Sequence, residues 1–363
     1  AADRQHWLAQ ALALADRFEE LTPLAQNRFE PIFTVMRFKL AQLAEDRPTM
    51  IKLGQAIKQP YYQDAAKRLI EHPESKCWLL PFTPTKQKHN TCLPSSIQAV
   101  AGRWGHTVDE ARMVAELTYG GTSLRDAALW LRQQGWLVKH FIVTAELAIQ
   151  MIRSGIPFIL TLRWDTGSHA VAVIGHDEAT QTLIIHDPSS ERWQHLILSH
   201  LNQEHAPLGP WGMAMVKAEQ AALLDLIPQA VWEPQEWHQD FLAAEDEQHA
   251  NTKAIHSKLA QSYPDHPVTA YLTGRLALVQ GHYAQAQELF YALLRQYPAC
   301  AVIRQALLQS LQHLGNTVLM RQTLHELLRH RQLRGLMVQE EWSQPPAAHI
   351  IQHAELLSES ADQ

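Results

Sequence analysis

The spacing of apolar residues changes character at Gly135, and that change constrains the fold more than any other feature of the chain. Upstream, apolar residues recur at helical intervals. Downstream come short runs bounded by turn residues. Residues 136–143 read as a strand and 145–154 as a short helix stopped by Gly155. Three strands are then expected over 158–164, 169–175 and 182–186, and a last one over 212–216. Helices first and antiparallel strands after make an α+β domain.

The upstream half of that domain opens on Cys92, within Thr91-Cys92-Leu93-Pro94-Ser95-Ser96-Ile97-Gln98-Ala99-Val100. Pro94 suits the first turn of a helix, where a missing N–H costs nothing. Ile97, Ala99 and Val100 give that helix an inward face. A thiol on the first turn meets the positive end of the helix dipole, which favours the thiolate. A buried structural cysteine is the plainer use of the same residue. A second helix is expected over 108–117. Ser123-Leu124-Arg125-Asp126 reads as a capping box that opens a third, ending at Gly135. Capping accounts for Ser123 without a nucleophilic role.

Bulk composition narrows the class. A chain of 363 residues, 46% hydrophobic and 19% charged, is globular and long enough for two or three domains. The net charge of −6, with no sustained Lys/Arg stripe, gives no footing for nucleic acid. No apolar run reaches membrane-spanning length. Cys77, Cys92 and Cys300 are odd in number and widely spaced, so neither a disulfide framework nor a zinc site is expected. No cofactor is implied. A reducing compartment, and so a cytoplasmic location, is the default. Export after removal of a leader upstream of Ala1 is the alternative.

Both flanks read as helical. Residues 1–77 carry amphipathic stretches, including Trp7 to Phe18 and Phe29 to Leu43, and no evident chemistry. The sheet-bearing domain takes 78–217, with 74–90 as its entry loop. A helical connector spans 218–250. Over 251–345 a repeat emerges: Tyr263-Pro264 recurs at Tyr297-Pro298, and Gly281 recurs at Gly315, each 34 residues on. Thirty-four residues is the tetratricopeptide period, and Gly274, Ala286, Tyr283 and Pro298 stand in its register. Residues 346–363 are a polar tail.

A thiolate nucleophile needs a base, and the base an orienting partner. His169 opens the apolar run Ala170-Val171-Ala172-Val173-Ile174-Gly175, which puts it on the rim of a sheet. The next strand ends at His186-Asp187-Pro188. A hairpin with its turn centred on Glu178 sets His169 directly opposite Asp187, above Val171–Ile185 and Val173–Leu183. A slip of one residue turns Asp187 to the other face and leaves His186 as the substitute.

Taken together, Cys92-Leu93-Pro94-Ser95-Ser96, Gly167-Ser168-His169-Ala170-Val171 and His186-Asp187-Pro188 resemble the papain-like cysteine peptidases that process bacteriocin (double-glycine) leaders. The resemblance covers about 78–217. It implies a papain-like α+β domain, flanked here by N-terminal helices and a tetratricopeptide-like α-solenoid. It further implies Cys92 as nucleophile, His169 as base and then acid, and Asp187 as orienter. A peptide or protein is the implied substrate. An upstream glutamine amide in the family stabilises the oxyanion. Gln87, five residues before Cys92, takes that role here, with Asn90 as the alternative. Leu93 stands where the family has glycine, and a larger side chain there is expected to narrow the cleft. No Gly-x-x-x-x-Gly-Lys-Ser/Thr cassette motif occurs. A non-hydrolytic scaffold, or a thiol acyltransferase or deconjugase, are the other functions such a chain supports, with the repeats recruiting substrate or a protein partner.

Overall fold

In a computed structural model, residues 2–21, 26–164, 167–190, 192–201, 206–246 and 251–326 are described. The tail over 346–363 and the end of the repeat region beyond 326 lie outside them. The described residues form two compact units, divided between Thr269 and Ala270.

Four helices lead: α1 (Ala2–Leu21), α2 (Gln26–Ala44), α3 (Arg47–Ala56) and α4 (Pro60–Glu71). Pro48 sits in the first turn of α3, behind an Asp46 cap that accepts from Thr49 N at 3.2 Å. Phe38, Ala41, Met50, Ile57, Tyr62, Ala65 and Leu69 form the core of α2–α4. Ala179, from a distant turn, completes it.

A short strand β1 (Cys77–Leu79) follows, then α5 (Cys92–Arg103), α6 (Glu110–Leu117) and α7 (Leu124–Gln133). The strands are β2 (Trp136–Ile142), β3 (Phe158–Trp164), β4 (Gly167–Asp177), β5 (Thr182–Asp187), β6 (Arg192–Ile197) and β7 (Trp211–Lys217). Helix α8 (Ala145–Arg153) lies between β2 and β3. The strands form one seven-stranded sheet in the order β2-β7-β3-β4-β5-β6, with β1 also paired to β4, and every pairing is antiparallel. The mixed helix and antiparallel-sheet class is as expected. Both β1, inside the expected entry loop, and β6 are additions to it.

Alternation along the strands builds two cores. Ala170, Ala172 and Ile174 face α5, α6 and α7, where Leu93, Ile97, Val100, Met113 and Leu131 are buried against them. Val171 and Val173 face the other way, toward Leu147, Met151 and Ile152 of α8. Each fully buried large aliphatic stabilises by about 2 kcal/mol, so the nucleophile helix is welded to the sheet. After β7 come a 3₁₀ segment (Ala218–Leu226) and α9 (Gln229–Asp246). α9 lines the free edge of β2, where Glu236 accepts from His140 N at 3.1 Å and blunts an otherwise open strand edge. α10 (Thr252–Ser262) and α11 (Pro267–Val279) follow, with α12 (Tyr283–Gln296) and α13 (Ala301–His313) in the second unit. Within that unit, a Cβ on Gly274 would lie 2.5 Å from the Phe290 ring, so only glycine permits this approach of α11 to α12.

The β4–β5 hairpin departs from the expected register. Its turn spans 178–181, and Asp177 pairs with Thr182, His176 with Leu183 and Gly175 with Ile184. The register then shifts, so that Val173 pairs with Ile185 and Ala172 with His186. The expected pairs Val171–Ile185 and Val173–Leu183 do not form, and His169 is not directly opposite Asp187. Two physical causes act. The turn is longer than a tight one centred on Glu178, and Ile174 is an extra residue accommodated as a β-bulge.

Candidate active site

Four segments converge on one rim of the sheet: the start of α5, the start of β4, the end of β5, and the loop over 81–90. Cys92 is the first residue of α5 and half-buried. Its cap, Thr91, makes no side-chain bond into the helix. The Thr91 hydroxyl is instead engaged with Lys88 N and O at 2.9 and 3.2 Å. Leu93 N–H bonds to the sulfur.

Leu93 does not narrow the cleft. Its side chain is 3% exposed and packs in the α5–α7 core. Alternation around the helix sends it inward, so only its backbone faces the thiol.

His169 and Asp187 are 7% and 9% exposed. The ring's Nε2 donates to Asp187 Oδ1 at 2.7 Å, and the ring is also hydrogen-bonded to the Cys92 sulfur. With Nε2 committed to the carboxylate, Nδ1 is the nitrogen that serves the sulfur. The three residues expected from the sequence lie together, but not by the expected strand pairing. Because of the bulge at Ile174, Asp187 shares a face with His169 as a diagonal rather than a direct neighbour, which is within side-chain reach. His186 takes the opposite face. It is fully buried, contacts Thr85 N and O through Nε2 at 3.2 and 2.9 Å, and packs on Phe82.

Burial disfavours the charged form of each of the three, and specific bonds outweigh it. The Cys92 thiol, pushed up by burial, is held below its ordinary value by the His169 bond and by Ala170 N–H. The charge on His169 and Leu93 N–H add to this. For His169, burial pulls down, but Asp187 and Cys92 raise the ring to about 9. For Asp187, burial pushes up, while His169, Ser189 N–H and the Ser189 hydroxyl bring it down to about 2. The three shifts favour a thiolate, an imidazolium and a carboxylate in line.

Supporting residues complete the arrangement. Ala170 offers N–H to the sulfur, while its carbonyl accepts from Ser96 Oγ at 3.1 Å. One residue of β4 thus locks α5 in place twice. Ser189 N donates to Asp187 Oδ1 at 2.8 Å, and Gln194 Nε2 reaches Oδ2 at 3.4 Å. Sequence reasoning missed Ala170, Ser96 and Gln194. Ser189 was within reach of it, since Asp-Pro-Ser is an Asx-turn pattern.

Gln87 is tied down beside this group. Its N–H donates to Pro188 O at 2.9 Å, directly after Asp187. Its side-chain Oε1 is buried and has no hydrogen-bond partner among the described residues. Asn90 is exposed, in a left-handed turn at φ 57°. No group of three or more metal-ligating side chains is found among the described residues.

Residues 79–204 match the model of the Peptidase_C39 like family. This stretch is C39-peptidase-like. The matched segment contains Gln87, Cys92, His169 and Asp187, and the C39-like stretch ends before β7. Among solved structures, similarity is found to the peptidase domain of Streptococcus ComA, a bi-functional ABC transporter involved in a quorum-sensing pathway. It is 16% identical, covers 39% of this chain and 98% of that one, and gives a TM-score of 0.31. No curated protein matches the chain. No helix among the described residues is long and apolar enough to cross a membrane.

Proposed function

We propose that the chain is a thiol hydrolase that cleaves a peptide or protein through Cys92, His169 and Asp187. The observation that carries this reading is the continuous line from Cys92 sulfur through the His169 ring to Asp187 Oδ1. In it, the Cys92 thiolate attacks the scissile carbonyl carbon. The C–N bond breaks as His169 gives its proton to the departing amine, leaving a thioester on Cys92. Water, deprotonated by His169, then displaces the sulfur and yields the new carboxylate. Asp187 keeps the ring oriented and supports its positive charge. The oxyanion of each tetrahedral state is received by the Cys92 N–H and the side-chain amide of Gln87.

The helices α11–α13 act as a tetratricopeptide-like array that recruits the substrate or a protein partner. The close Gly274–Phe290 approach, the buried Ala286 and the left-handed turns at Gly281 and Gly315 support that role.

A thiol-directed reagent tests the reading. Rapid alkylation of Cys92 near neutral pH, located by mass spectrometry and abolished in His169→Ala, is expected. Alkylation no faster than that of a free thiol would sink the enzymatic reading and leave the scaffold. Incorporation of one ¹⁸O from labelled water into the new carboxylate of a cleaved peptide distinguishes hydrolysis from acyl transfer.

A further inference from the structure

The same hairpin that carries His169 and Asp187 at one end is gripped at the other by the N-terminal helices. Asp177, 4% exposed, closes the turn: its Oδ1 accepts from Ala179 N and Thr180 N at 2.9 and 3.2 Å. Its Oδ2 accepts from Gln42 Nε2 of α2 at 2.5 Å, and the same amide reaches Thr180 Oγ1 at 3.1 Å. Arg68 Nε of α4 donates to Ala179 O at 2.8 Å, and the Ala179 side chain is buried in the α2–α4 core. From Asp177 to His169 is eight residues of strand, about 26 Å at the usual rise. α2 and α4 therefore hold the end of the hairpin remote from the thiol.

Between the two ends lies the bulge at Ile174. On the turn side, Gly175 pairs with Ile184. Carried through without the bulge, that register would set Asp187 opposite Ala172, on the α5 face. His186 would then share the face of His169. The bulge is pinned by β1, because a Cβ on Gly175 would meet Trp78 O at 2.5 Å. Register on the turn side is pinned by Gln42 and Arg68. Sliding one strand by a single residue would remove the bulge, and such a slide reverses every side chain on that strand.

We propose that the N-terminal helical segment is a register clamp for the catalytic hairpin, and that Gln42 and Arg68 are positioning residues acting on Asp187 through it. The helices then support the site rather than plug it, and weakening their grip lowers Cys92 reactivity instead of releasing it. This rests on the reading of Asp187 as the residue that orients His169.

The test uses the full chain and the pH profile of Cys92 alkylation by iodoacetamide, read on the Cys92 peptide. Gln42→Glu sets a second carboxylate against Asp177, while Gln42→Ala and Arg68→Met are milder should that variant fold poorly. Asp187→Ala is expected to slow alkylation at pH 6.5 about tenfold, the change that one unit in the thiol's ionisation gives. The clamp variants should move the profile in the same direction. In the Asp187→Ala background they should move it no further, while lowering the melting temperature equally in both backgrounds. A wild-type profile in destabilised clamp variants overturns the clamp and leaves the triad. Additive effects in the double variants do the same. An unchanged profile in Asp187→Ala overturns both.

Discussion

Among the described residues, two buried histidine–carboxylate pairs have nearly the same geometry and differ in what the far side of the ring meets. His169 Nε2 meets Asp187 at 2.7 Å, and His140 Nδ1 meets Glu236 at 2.9 Å. Glu236, like Asp187, is pushed up by burial yet brought down to about 2, here by His140 and Arg132. The difference lies beyond the ring. The far side of His169 faces a thiol at a helix N-terminus. His140 Nε2 is buried and meets no partner among the described residues, and Arg132 already shares Glu236 at 2.8 Å. A histidine–carboxylate pair is thus a structural strut by default. A third group, held where charge can move, makes it a relay.

The largest contrast should come from the rings. His169→Ala is expected to lower peptide turnover by about 10³-fold, in the range of a lost general base, while His140→Ala leaves kcat within a few-fold in protein that remains folded. Equal losses in the two variants, measured on peptide cleavage, would erase the distinction.

The carboxylates sharpen it. Glu236→Gln removes a charged acceptor from a buried donor and should cost about 2 kcal/mol of stability in denaturant unfolding, with the Cys92 alkylation profile unmoved. Asp187→Asn should shift that profile toward an ordinary thiol. Both carboxylates titrate below their ordinary values of 3.8 and 4.5 in the folded chain. Their stabilisation is therefore complete above those values and is lost as pH falls toward about 2.

The pH dependence of turnover separates the pairs again. The thiolate–imidazolium pair forms below the ordinary thiol range and ends as His169 loses its proton near 9. Peptide cleavage should therefore fall on the alkaline side around pH 9, while alkylation, which needs only the thiolate, does not. A turnover profile still rising beyond pH 10 would remove His169 from the acid step. The smallest effect is expected from Ser96→Ala. It loses one neutral bond to Ala170, worth about 1 kcal/mol, and should slow alkylation by no more than a few-fold.

The candidate site residues were more legible in the chain than the geometry that joins them. Cys92 announced itself by Pro94 and the small residues behind it. His169 did so by heading an apolar run, and Asp187 by its place before Pro188. The bulge at Ile174 was invisible because Ile174 is as apolar as its neighbours, and nothing in Val-Ile-Gly marks an extra residue. Gly175, which β1 requires, was the one local sign. β1 and β6 escaped notice for a related reason. Cys77–Leu79 is too short to show alternation, and Arg192–Ile197 is half polar and holds no sustained apolar run. Leu93 was misjudged because its neighbour's exposure says nothing of its own direction on a helix. The strut at His140 left no trace either, since Glu236 is 96 residues away.

β7 is the last strand of the sheet to be synthesised and yet lies inside it, between the edge strand β2 and β3. Until residue 217 has left the ribosome, β2 has no strand to pair with, although it is the first of the long strands to be made. A fragment cut where the C39-like match ends would likewise lack an interior strand rather than an ornament at the edge. The nascent chain thus carries Cys92, His169 and Asp187 for some time before the sheet beneath them can close. The order of synthesis therefore delays the completed sheet until the whole domain has emerged.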